Sequence, residues 1–156
     1  MTPTAEFKLV PMRETAPPQT RPIGDTPEAI ADYWRAQVET SPSYSHTTEQ
    51  AAVIMLNTRR RITGHVIAAT GTLDTILIHP REIYHAAILA NAAAIVLAHN
   101  HPSGDPTPSE ADIKVTRDLI RAGQLLKIEM LDSIVIGHHA ATQPFVSLRA
   151  QGYFYS

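Results

Sequence analysis

At 156 residues the chain is long enough to form one domain that buries its own core, and 44% hydrophobic content is ordinary for a globular protein. A formal charge of −2 excludes a global basic field of the kind that steers proteins onto nucleic acid. The absence of cysteine excludes disulfides and thiolate metal sites, so any metal must be held by histidine and carboxylate.

Residues 1–25 carry prolines at 3, 11, 17, 18 and 22 with no sustained hydrophobic period, which predicts a flexible Pro-rich N-terminal arm ahead of a domain over 26–156. Thr26-Pro27-Glu28 reads as a helix start, with a hydroxyl cap, a proline at the first helical position and an acid in the first turn. Ile30, Tyr33, Trp34 and Val38 share one face, so an amphipathic helix of about three turns runs to Ser41-Pro42-Ser43. Glu49 to Leu56 predicts a buried strand, Asn57-Thr58-Arg59-Arg60 a turn, and Ile62 to Thr70 a returning strand broken by Gly64. Leu73 to Ile78 predicts a short third strand, and Pro80 to about Asn91 a second helix. The fully apolar run Ala94 to Ala98 predicts a central strand buried on both faces. After a loop from Pro102 to Pro108, Ser109 caps a third helix expected to end at Gly123. Leu125–Met130 and Ser133–Ile136 predict two strands, and Phe145–Leu148 a last edge segment. Helices alternating with strands and hairpins make this an α/β chain with a mixed sheet. The longest apolar stretch, Ala86 to Ala98, is interrupted by Asn91 and is too short to span a bilayer. With no secretory segment visible, the expected location is the cytoplasm.

The chemistry concentrates in His99-Asn100-His101-Pro102 together with Ser109 and Asp112. Period-two spacing directs both histidines to the same side of a strand end, where α/β sheets bind ligands. Asp112 falls in the first turn of the next helix, where the chain returns. Two imidazoles and a carboxylate suit a catalytic Zn²⁺ that keeps its fourth position for water, and such an ion lowers the water's pKa and polarises a carbonyl. The site also needs a general base that is not a ligand. Glu49, a charge at the start of an apolar strand, is the candidate, and Glu82, expected on a solvated helix face, is its competitor. A simpler reading competes: Ser109-Glu110-Ala111-Asp112 is also a capping-box start that needs no metal. Histidines 46, 65, 79, 85, 138 and 139 lack a comparable context. Arg59-Arg60-Arg61 reads as a solvated hairpin tip, with phosphate contact as the alternative.

At these residues the chain resembles the JAMM (MPN+) zinc metalloproteases, whose pattern is an upstream Glu, then His-x-His-Pro, then Ser-x-x-Asp. Glu49, His99, His101, Pro102, Ser109 and Asp112 match in order. The closer resemblance is to the bacterial RadC-like branch, over about residue 26 to the C-terminus. It rests on Gly71-Thr72-Leu73, His79-Pro80-Arg81-Glu82, the run from His99 to Ser109, Leu131-Asp132 and Ser147-Leu148. The resemblance implies a JAB/MPN fold, a mixed sheet sandwiched by helices and similar to the cytidine-deaminase arrangement. It implies one Zn²⁺ on His99, His101 and Asp112, with Glu49 moving a proton from water to the leaving amine and Ser109 stabilising the oxyanion. It implies hydrolysis of an amide or isopeptide bond in a protein or peptide substrate, such as a ubiquitin-like conjugate. Ser133 stands where relatives commonly have His after Leu-Asp, and Ala150 where they commonly have Glu. The alternatives are a DNA-associated protein that grips phosphates through Arg59–Arg61, either binding DNA or cleaving a phosphodiester with the metal-activated water, and a non-catalytic interaction module. RadC-like proteins often carry an N-terminal helix-hairpin-helix DNA-binding region, where this chain has the Pro-rich arm and one helix.

Overall fold

The computed structural model describes residues 1–7, 17–71 and 78–155. The first helix, α1 (Pro27–Tyr33), is capped by Thr26, whose side chain accepts from the Ala29 amide, and it continues as a π-helical turn over Trp34–Val38. Then follow β1 (Gln50–Leu56), β2 (Ile62–Thr70), α2 (Pro80–Leu89), β3 (Ala94–Asn100), α3 (Glu110–Leu126), β4 (Glu129–Ile136) and β5 (Phe145–Ser147). The five strands form one sheet in the order β2-β1-β3-β4-β5. Its β3–β4 pair is parallel, joined by the α3 crossover, and the other neighbours are antiparallel. This is the mixed α/β sheet that the alternation of patterns predicts.

Strand alternation divides the core into two layers. Ala51, Val53, Met55, Ile95 and Leu97 face α2 and α3, where they meet Ile83, Tyr84, Val115 and Leu119. Ala52, Ile54, Leu56, Val96 and Ala98 face the first helix and meet Ile30, Trp34 and Val38. Both faces of β1 and β3 are therefore buried, which accounts for their unbroken apolar runs. Among the described residues no helix is long and apolar enough to cross a membrane.

Several boundaries depart from expectation, each for a local reason. Strand β3 extends through His99 and Asn100 because β4 pairs with it to that point. Helix α3 passes through Gly123 and ends at Leu126, where Lys127 takes the left-handed cap (φ 59°). Gly123 is there for close approach: a Cβ would collide with the Tyr84 hydroxyl and the Ile128 carbonyl. The Tyr84 hydroxyl donates to the Leu119 carbonyl at 2.6 Å, tying α2 to α3, and burial pushes its phenol up to about 12. Residues 125–126 are thus helical, and the two strands expected over 125–136 are one, β4. A register irregularity against Ile95–Val96 absorbs Leu131 within it, and Asp132 is accommodated by hydrogen bonds. The expected strand Leu73–Ile78 lies outside the described residues except for Ile78, which is buried.

In the N-terminal segment, Ile23 bridges Arg61, with hydrogen bonds from Gly24 to Arg60 and from Ile62 to Pro22. The hairpin arginines hold this junction. Arg61 donates to the Arg21 carbonyl at 2.7 Å, and Arg60 pairs with Glu129 at 2.7 Å.

Candidate metal centre

In the β1–β3 register Ala51 stands opposite His99. Period-two alternation then sends Glu49, His99 and His101 to the face covered by α3. Helix α3 begins there and brings Asp112 over the strand end. The four side chains meet: one ligand atom each from Glu49, His99, His101 and Asp112 lie within 4.8 Å of one another. His99 Nε2 is 3.1 Å from Asp112 Oδ1, His101 Nε2 is 3.2 Å from Asp112 Oδ2, and Glu49 Oε1 is 3.9 Å from His101 Nε2. His99 and Asp112 are buried, whereas Glu49 and His101 are partly open to solvent. Glu82 is exposed on α2 and stands outside this group, as its competitor role on a solvated face implied.

The capping box forms as well. Ser109 Oγ accepts from the Asp112 amide at 3.1 Å, and Asp112 Oδ2 accepts from the Ser109 amide at 2.8 Å. The structural and functional readings of Ser109 and Asp112 are therefore one arrangement. The cap locks the Asp112 rotamer, and that rotamer aims the carboxylate at the histidines. The Ser109 side chain accepts in this cap, and its hydroxyl hydrogen donates to no partner among the described residues.

Two observations test whether a metal fits. His101 Nδ1 lies 2.8 Å from the Asp105 carbonyl oxygen. That oxygen only accepts, so Nδ1 carries the hydrogen and Nε2 faces the cluster, the orienting contact typical of metal-ligating histidines. His99 is 1% exposed, yet neither ring nitrogen has an aligned hydrogen-bond partner among the described residues, despite the close approach of Asp112. A buried polar atom without a partner is costly. A cation between His99 Nε2, His101 Nε2 and Asp112 would remove that cost at Nε2, and the 3.1–3.2 Å donor spacings are near the roughly 3.3 Å edge of a tetrahedral zinc shell. The donor set fits Zn²⁺.

The electrostatics agree. Burial opposes ionisation of Asp112, but His101, His99 and the Ser109 amide outweigh it and hold the carboxyl well below the usual carboxylate range. Asp112 in turn raises the His101 pKa, with burial opposing and the Asp105 carbonyl and Glu49 adding to the rise.

A cavity of about 350 Å³ opens beside His101, lined in part by Arg35, Tyr44, His46, His138 and His139. The residue reading gave these histidines no role; their grouping comes from loops far apart in sequence. Ser133 is fully buried in β4, and the Ala150 amide donates to Ser147 at 2.9 Å. Neither belongs to the four-residue group.

A mixed sheet with a His-x-His pair at the end of a central strand and an acid on the following capped helix defines a JAB/MPN-type domain. The sequence pattern of the RadC-like JAB domain matches residues 24–153, and the chain belongs to that family. A UPF0758 protein of Caldanaerobacter subterraneus is 43% identical over 106 residues, covering 68% of this chain and 44% of the relative. A UPF0758 protein of Symbiobacterium thermophilum is 39% identical over 132 residues, covering 84% and 54%. One of Moorella thermoacetica is 51% identical over 89 residues, covering 57% and 39%. The chain thus spans about half the length of the curated relatives it matches.

Proposed function

We propose that this domain is a zinc-dependent hydrolase of the JAMM type, cleaving an amide or isopeptide bond in a protein or peptide, a ubiquitin-like conjugate among the candidates. The observation that carries the reading is the convergence of Glu49, His99, His101 and Asp112 around one point, with neither ring nitrogen of the buried His99 in an aligned hydrogen bond among the described residues. His99, His101 and Asp112 would hold one Zn²⁺. When bound, the ion supplies Lewis acidity, which lowers the pKa of water towards about 7 and polarises a carbonyl.

The chain's own residues supply the rest. Glu49 is partly solvated, on the open side of the cluster, so its carboxylate takes a proton from the attacking water. The same carboxyl then delivers that proton to the leaving nitrogen as the C–N bond breaks. The Ser109 hydroxyl donates to the oxygen on which negative charge develops. The cavity beside His101 offers room for the chain flanking the cleaved bond.

Elemental analysis of protein purified without added metal or chelator tests this, beside His101→Ala. About one zinc per chain, lost in the variant, supports the site. No zinc, and none taken up on titration, rejects it and favours a non-catalytic interaction module. At the hairpin tip Arg60 pairs with Glu129 and Arg61 donates to the Arg21 carbonyl, which weighs against the phosphate-gripping alternative, while Arg59 is exposed.

A further inference from the structure

Asn100 lies between the two histidines, where a His-x-His pattern leaves any residue free. It is 4% exposed, and both ends of its carboxamide are engaged. Oδ1 accepts from the Gln50 amide at 2.8 Å, and Nδ2 donates to the Thr48 carbonyl at 3.0 Å. These two peptide groups flank Glu49.

The sheet register shows why a side chain takes this place. The β1–β3 pairing ends with Ala51 opposite His99. One residue further it would set Gln50 against Asn100, and then Glu49 against His101, at the roughly 4.5–5.5 Å Cα spacing of a closed ladder. The ladder stops instead, and the Asn100 carboxamide stands between the strands where backbone bonds would have been. Asparagine is suited to this: a short stem carries an acceptor and donors side by side, so it satisfies an N–H and a C=O together. Aspartate lacks the donor for Thr48.

We propose that Asn100 is a positioning residue: its carboxamide wedges β1 from β3 and sets the gap between Glu49 and the His101 imidazole. It grips the backbone on either side of Glu49 and leaves the carboxylate itself able to move a proton. The segment is also held by the Gly71 amide on the Glu49 carbonyl at 2.8 Å, the Thr48 amide on the Ser45 carbonyl at 3.2 Å and the Gln50 side chain on the Ser43 carbonyl at 3.3 Å. None of these three reaches across from β1 to β3. The inference rests on the reading of the cluster as a metal centre with Glu49 as its base.

The test uses the full chain carrying ¹³C-carboxyl glutamate, with Co²⁺ as the probe. In the wild type, Co²⁺ should shift or broaden one glutamate signal most, assigned to Glu49 by its loss in Glu49→Gln. Asn100→Ala should still take up one Co²⁺ per chain, while the paramagnetic effect on Glu49 falls and the Gln50 amide exchanges about tenfold faster or more. Asn100→Asp matches asparagine in size and covers the case in which the alanine variant does not fold. It should keep Gln50 protected but alter the Glu49 signal, because the Thr48 end is released. Wild-type values of both Gln50 exchange and the Glu49 signal in metal-loaded Asn100→Ala would overturn the proposal, as would a wild-type Glu49 signal in Asn100→Asp. Failure of the wild type to bind Co²⁺ would sink the metal-centre reading instead. Gln50 exchange in Asn100→Ala then decides the wedge alone, and an unchanged rate overturns it.

Discussion

Asp112 and Asp132 are both buried carboxylates, 5% and 8% exposed, and they are built to opposite ends. Asp132 is enclosed by neutral donors: the Ser147 hydroxyl at 2.6 Å, the Ser133 amide at 2.7 Å and the Arg149 amide at 3.1 Å. Burial pushes its pKa up, and those hydrogen bonds only partly offset the rise. Asp112 faces two imidazoles, and its carboxyl is held down. The first carboxylate is satisfied by the fold and ties the β4–β5 corner together. Beside the second, His99 has no aligned hydrogen-bond partner among the described residues, a deficit among convergent donors that a cation could meet.

Removing each acid breaks the comparison most sharply. Asp112→Ala should abolish zinc uptake and turnover together, weakening metal affinity by more than about 100-fold, whereas Asp132→Asn should keep one zinc per chain. Full metal in Asp112→Ala, read by elemental analysis, would reject the ligand assignment. Glu49→Gln should keep the metal and lower turnover by about 10²–10⁴-fold. Wild-type rates in that variant would remove Glu49 as the base. Asp132→Asn should instead cost about 1–3 kcal/mol of stability, seen as a lower denaturation midpoint, because its amide puts a donor where an acceptor was needed.

The pH dependence of the metal-free protein sharpens the contrast. The His101 pKa is raised above 6.5, so its stabilising contribution is complete below that value and is lost as pH rises through the folded pKa. The Asp112 pKa is lowered from 3.8, so its contribution is present above that value and is lost as pH falls. The Asp132 pKa is raised, so its contribution is present below 3.8 and is lost as pH rises through the folded pKa, the reverse slope to Asp112. Thermal midpoints in chelator should therefore fall from about pH 6.5 upward, and His101→Ala should flatten that limb. An identical limb in His101→Ala would assign it to another group. The smallest effect on stability is expected from Ser109→Ala, about 1 kcal/mol from the lost cap, with zinc retained and turnover lowered by loss of the oxyanion donor. Complete loss of zinc there would make Ser109 more than a cap and a hydrogen-bond donor to the oxyanion.

Much of this molecule was legible in its residues. Caps and prolines marked the starts of all three helices, because those signals act through neighbouring backbone groups. Apolar runs marked β1 and β3, whose two faces are both covered. Misreadings arose where one residue type serves two purposes. Gly123 looks like a helix stop but is a packing contact with Tyr84 and Ile128, and Asp132 looks like a strand break but is a satisfied buried acid. A sequence lists such residues without their neighbours across the fold, and those neighbours choose between the two readings.

The chain's order of residues thus determines the elements, the His99–His101 pairing on one side of a strand and the capped position of Asp112, because strand alternation and helix capping are local. Tertiary structure alone decides that Glu49, fifty residues before His99, arrives beside His101, that neither ring nitrogen of His99 has an aligned hydrogen-bond partner among the described residues, and that Asn100 stands between the strands. Those facts depend on the β1–β3 register and on where α3 returns over the sheet, and register is set by burial across strands far apart in the chain.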